Sequence, residues 1–189
     1  NASFENMPTS KVATASILPF ETFVEGDSTI DIAPQRIHPV RIAGDVFFAG
    51  EKMPVYDLDI RERLDRELLV NTFWHSSTML NYKISNKYFE EIKVILKAND
   101  VPEDFVYLCV AESGLRNVVS PAGATGFWQF MKKTGQGYGM EINSEVDERY
   151  HLAIATEAAC KYLKEAKAKF GSWTLAAASY NRGMGGLNG

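Results

Sequence analysis

Between Pro102 and Gly114 the chain reads PEDFVYLCVAESG, a short helix with its own start and stop signals. Proline suits a first helical turn, because the amide it lacks has no partner there. Glu103 and Asp104 then face the positive end of the helix dipole, and Gly114 supplies the stop. Phe105, Leu108 and Cys109 stand at i, i+3 and i+4, and Glu112 is the i+7 member of the same stripe. A carboxylate is thus placed on the face that should be buried.

Working outward, SPAGAT (120–125) reads as a small-residue loop, and GFWQFMKKTG (126–135) predicts a further helix that Gly135, Gly137 and Gly139 break. A long helix is predicted from about Tyr150 to Phe170, since Ala155, Ala158, Ala159, Tyr162, Ala166 and Phe170 share one face, and its alanines permit close packing. WTLAAASYN (173–181) reads as a short buried helix, with the glycines after Arg182 as its exit. Toward the N-terminus, Tyr88, Phe89, Ile92, Ile95 and Leu96 mark a helix, and Ile60, Leu64 and Leu68 mark another beginning near Leu58. Residues 1–57 mix β-branched residues with Pro, Gly, Asp and Thr and show no sustained period, so they read as an extended arm or linker. The fold class is mainly α: a helical domain over 58–189 behind an irregular N-terminal arm.

With 189 residues, 46% of them hydrophobic and 23% charged, the chain can build a globular core. A net charge of −4 without clustered Lys and Arg argues against nucleic acid as a partner. No apolar run approaches the roughly 18 residues of a membrane-spanning helix, so no transmembrane segment is expected in this chain. The first residue is Asn1, with no basic start and apolar stretch before it, so any export signal is expected to have been removed already. Cys109 and Cys160 lie in helix-like stretches without metal-ligand spacing; two buried free thiols is the favoured reading, with a disulfide open to an exported protein. His38, His75 and His151 also lack metal-ligand spacing, and neither a metal nor a cofactor is expected. The glycines from Gly135 to Gly139 lack the strand and helix context of a phosphate loop, and Lys161, Lys164, Lys167 and Lys169 read as the wet face of the long helix.

What a carboxyl group on an apolar face can do follows from its pKa. Lost hydration and the negative helix end both disfavour ionisation, and a general acid at neutral pH needs that shift. The bland alternative is a frayed helix end, with Glu112 in solvent or paired to Arg116 one turn on.

The string AESGLRNVVSPAGATGFWQFMKKTG, taken with ASYNRG, resembles glycoside hydrolase family 23, the soluble lytic transglycosylases related to goose-type lysozyme, and within it a membrane-bound branch. Three motifs match in order: Glu112-Ser113; Gly126-Phe127-Trp128-Gln129 in place of Gly-Leu-Met-Gln; and Ser179-Tyr180-Asn181 in place of Ala-Tyr-Asn. VDERY (146–150) and ATEAACKYL (155–163) add to the resemblance, which covers about Tyr88 to Leu187. It implies a lysozyme-like fold with Glu112 as catalytic acid/base. Ser113 would help orient that side chain, Gln129 would line the sugar cleft, Tyr180 would approach the Glu112 carboxyl, and Asn181 would hold the site or the substrate's acetamido group. Phe127 and Trp128 would either stack on sugars or fill the core. His151 replaces an acid at a helix cap, and the stop eight residues after Asn181 suggests a truncated domain.

Most glycosidases use two carboxyl groups, yet no Asp or Glu occurs from Ser113 to Met140. That agrees with the chemistry the resemblance implies, in which peptidoglycan glycan strands supply their own nucleophile and end as 1,6-anhydromuramoyl residues. Two rivals stand beside it: a lysozyme-type hydrolase on the same strands, and a glycan-binding module without activity. The implied location is the periplasm or cell envelope, with an anchor in the full-length protein as an option.

Overall fold

The computed structural model describes residues 40–186, and the first part of the expected arm, His38 and the last three residues lie outside them. The architecture is mainly α. A hairpin of β1 (Phe47–Phe48) and β2 (Glu51–Lys52) opens the described chain, with Phe47 opposite Lys52 and Phe48 opposite Glu51. Its two turn residues, Ala49 and Gly50, both have positive φ, 52° and 75°, the backbone that a tight two-residue hairpin with native twist requires.

Two helices follow, α1 (Leu58–Phe73) and α2 (His75–Ala98), with Asp57 capping α1 by accepting from the Asp59 and Ile60 amides. The expected stripe of Ile60, Leu64 and Leu68 is only half-buried, and α1 has no fully buried residue. Near its C-terminus α2 buries Ile92 and Leu96 completely.

A single 3-10 turn (Glu103–Phe105) leads into α3 (Val106–Ser113). Its stop is as expected: Gly114 takes the left-handed conformation (φ 61°) and donates its amide to the Val110 carbonyl at 2.7 Å.

The helix expected over 126–135 is displaced. Residues 118–130 instead form an irregular platform, bridged between Val119 and Thr125 and between Thr125 and Phe130, and α4 covers Lys132–Gly137. Gly126 (φ 82°) and Gln129 (φ 51°) both sit in the left-handed region, which a right-handed helix cannot include. Gly135 therefore lies inside α4, while Gly137 is its last residue and Gly139, at φ 94°, follows its end. At Gly135 a Cβ would come within 2.8 Å of Ile142 Cδ1 and 2.9 Å of Met140 Cε, so this glycine serves close packing.

The centre of the domain is α5 (Leu152–Phe170), which buries the expected face of Ala155, Ala158, Ala159, Tyr162 and Ala166 together with Thr156, Cys160 and Leu163. Its neighbours are α2 and α6 (Trp173–Arg182), which comes close because alanines line the contact. His151 does cap α5, its Nδ1 accepting from the Ile154 amide at 3.4 Å, a loose bond where an acid would be stronger. Cys109 and Cys160 are free and buried, which settles the choice between thiols and disulfide for this structure. Burial pushes the Cys160 thiol up to about 12.

Candidate active site

Two helix ends and one loop build the site. Along the 3-10 turn and α3 the buried line runs through Phe105, Val106, Cys109 and Ser113, so Glu112 lies at the border of the apolar face and is half-buried. Burial raises its carboxyl pKa above the ordinary value while leaving it a path to solvent. Among the described residues its carboxylate has no hydrogen-bond or ion-pair partner. Arg116, the partner of the bland alternative, turns instead to Ser113, donating Nε to the Ser113 carbonyl at 3.4 Å.

Ser113 has an internal role. Its hydroxyl donates to the Cys109 carbonyl at 3.3 Å and accepts the Arg116 amide at 3.3 Å, and the residue is 6% exposed. Ser113 thus fixes the turn that ends α3 and reaches Glu112 through the backbone, with its hydroxyl taken up by main-chain partners and not turned to a ligand.

Tyr180 comes from α6. Its hydroxyl donates to the Trp128 carbonyl at 2.8 Å, and its ring meets Tyr162, Phe130 and Trp128 edge-on at centroid distances of 5.0, 5.8 and 6.2 Å. Burial, then the negative charge of Glu112, hold its phenol well above the ordinary value. Burial and the Glu112 charge raise the Cys109 thiol as well. The Glu112 charge thus acts on both the Cys109 thiol and the Tyr180 phenol. Asn181, the next residue on α6, is exposed.

Gln129 occupies its left-handed position with the side chain folded back, Nε2 donating to Val118 O at 3.0 Å and Gly126 O at 2.8 Å. Both donor directions being taken, Oε1 is the group left to meet a ligand. Phe127 and Trp128 take the core option, at 6% and 0% exposure. Trp128 Nε1 donates to Thr156 Oγ1 at 2.9 Å, which in turn donates to the Leu152 carbonyl at 2.7 Å.

Three supporting residues escaped the reading of the sequence. Arg149, buried, pairs with Asp147 (NH2 to Oδ2, 2.6 Å; Nε to Oδ1, 2.9 Å) and donates NH1 to the carbonyls of Phe130 (3.1 Å) and Gly123 (3.3 Å), tying down the loop that carries Gln129. Tyr162 was read only as packing, yet its hydroxyl donates to the Ser179 carbonyl at 2.7 Å beside Tyr180. Glu51 belongs to the stretch read as an arm and binds the start of α6. The VDERY string was the available signal for Arg149; Tyr162 and Glu51 had none, since a tyrosine on a core stripe and an acid in an irregular stretch look ordinary.

Among the described residues no group of three or more His, Cys, Asp or Glu could hold a metal ion, and no described helix is long and apolar enough to cross a membrane. Comparison with known proteins bears on the same residues. The membrane-bound lytic murein transglycosylases D of Escherichia coli strain K12 and of Escherichia coli O6:H1 are each 30% identical to this chain over 148 residues, 75% of this chain and 32% of the relative. The chain thus spans about a third of the length of those relatives. The family described as "Transglycosylase SLT domain" matches residues 90–188, just over half of the chain and the part that holds all three motifs. On that match the chain belongs to the SLT transglycosylase domain family.

Proposed function

We propose that this domain cleaves the β-1,4 bond between N-acetylmuramic acid and N-acetylglucosamine in peptidoglycan, with Glu112 as the single acid/base. One observation carries the reading: a half-buried carboxyl group whose pKa is raised by burial and whose charge is felt by the Tyr180 phenol. In the protonated form that burial favours, Glu112 donates its proton to the glycosidic oxygen as the C1–O bond breaks. The muramoyl acetamido oxygen stabilises the positive charge at C1. Glu112, now a carboxylate, takes the proton of the C6 hydroxyl as that oxygen closes on C1, and is ready for the next turn. The product is a 1,6-anhydromuramoyl end, formed without water.

Tyr180 stays neutral and keeps its proton on the Trp128 carbonyl, so its part is to shape and dry the surroundings of Glu112. Gln129 Oε1 would accept from a sugar N–H or O–H, and Asn181 would hold the acetamido group. The transglycosylase domain is counted from residue 58, with the preceding residues as an arm whose last part packs on it. A cell-envelope location follows from the substrate. Mass spectrometry of digested peptidoglycan is the test: anhydro ends from the wild type and none from Glu112→Gln are expected. Reducing muramoyl ends would mean a hydrolase, and equal clearing of cell walls by both proteins would remove Glu112 as the acid.

A further inference from the structure

The β1–β2 hairpin lies outside the family match at 90–188, yet it grips the N-terminal ends of both site helices. On the α3 side, the Ala49 amide donates to Asp104 Oδ2 at 2.7 Å, and the Phe48 ring packs edge-on against Phe105 at 5.3 Å. On the α6 side, the Glu51 carboxylate accepts from the Trp173 amide at 2.6 Å, the Thr174 amide at 2.9 Å and the Thr174 hydroxyl at 2.9 Å. Ser172, the cap within α6's own sequence, accepts only from the Leu175 amide at 3.0 Å. Two amides that begin α6 therefore depend on a side chain more than a hundred residues away. Lys167 of α5 completes the joint, donating to Glu51 at 2.8 Å and to the Gly171 carbonyl at 3.0 Å while lying over the Trp173 ring. Phe105 and Trp173 meet each other at 5.4 Å, so the hairpin closes over the point where the two helices touch.

We infer that this hairpin is a clasp setting α6 against α3, and that Glu51 is a positioning residue for the reaction. The inference rests on the reading of Glu112 as the acid. Tyr180 follows Trp173 by seven residues, about two turns and ~10 Å along a short helix. A tilt allowed at the start of α6 displaces the Tyr180 ring and Asn181 relative to Glu112. Displacements of this kind, far from the chemistry, act on turnover more than on ground-state binding.

Full-length Glu51→Ala and Glu51→Gln, with Lys52→Ala as control, test this by kcat and KM on soluble glycan strands at a temperature where circular dichroism shows each variant folded. Lys52 pairs with Asp45 on the hairpin itself, at 2.9 Å. A fall in kcat of roughly ten- to a hundredfold is expected for Glu51→Ala with KM within about twofold. Glu51→Gln, which keeps an amide acceptor, should recover part of the loss, and Lys52→Ala should match the wild type. Should Glu51→Ala not fold, Glu51→Gln and Thr174→Val take its place, each expected to lower kcat. Wild-type kcat in folded Glu51 variants, or an equal loss in Lys52→Ala, overturns the clasp alone. Wild-type turnover by Glu112→Gln overturns the acid assignment and the clasp's catalytic role with it.

Discussion

Burial sets the Glu112 carboxyl apart from an ordinary surface acid. A folded-state pKa above the ordinary carboxylate value means that the native state favours the protonated form. The stability contributed is complete below the ordinary value and is lost as pH rises through the raised one. Above the ordinary value this preference weighs against folding, because the unfolded chain gives up the proton more readily. Glu112→Gln should melt at a higher temperature than the wild type at pH 7, with the gap closing below the ordinary carboxylate pKa; a scan of melting temperature against pH reads this directly. The same variant should lose activity by a factor of roughly 10² or more. In the wild type the alkaline limb of kcat/KM should lie above the ordinary carboxylate range, because the reaction needs the protonated acid. Tyr180→Phe is a milder change: the Trp128 carbonyl loses its donor, at a cost of about 1–3 kcal/mol in urea unfolding if no water replaces it, and turnover falls as the ring loosens.

At the scale of elements, the loop from Val118 to Phe130 has the most exacting backbone. Gly126 sits at φ 82° directly against the Arg149 carbonyl, where any Cβ would collide with main chain. Gly126→Ala should therefore destabilise the domain by more than about 2 kcal/mol, through the strained φ and the collision together; thermal unfolding and loss of activity would both register it. The displaced helix has the same origin. Apolar residues from Phe127 to Met131 invited a helical reading, but two left-handed positions and the Arg149 bonds to Gly123 O and Phe130 O hold a turn there. Where no such competing contacts exist, as in α5, periodicity and structure agree.

At the scale of the whole molecule, a charge in the N-terminal hairpin holds the far end of the domain. Burial alone would raise the Glu51 carboxyl, but Lys167 and the Thr174 and Trp173 donors outweigh it and lower the pKa from 4.5 to about 2. With a depressed folded value, the stabilisation is present above pH 4.5 and is lost as pH falls toward 2. The stability difference between wild type and Glu51→Gln should accordingly be largest near neutral pH and shrink across that acid window, as followed by denaturant melts at stepped pH. A constant difference would mean that Glu51 is not the titrating group.

The sequence by itself determined the helical class, the acid near the apolar face of α3, the Gly114 stop and the buried face of α5, while the structure moved that acid to the border of the face. Each of these is a local matter, decided by side-chain periodicity or by the φ angle a single residue accepts. Only the tertiary structure decided that Ser113 turns inward, that 126–131 is not helical and that Trp128 is core. It alone joined Glu51 to Trp173 and Thr174, and Arg149 to Gly123 and Phe130. These last contacts bind side chains to backbone groups distant in the chain, and a backbone amide or carbonyl leaves no mark in the sequence of the partner it will need.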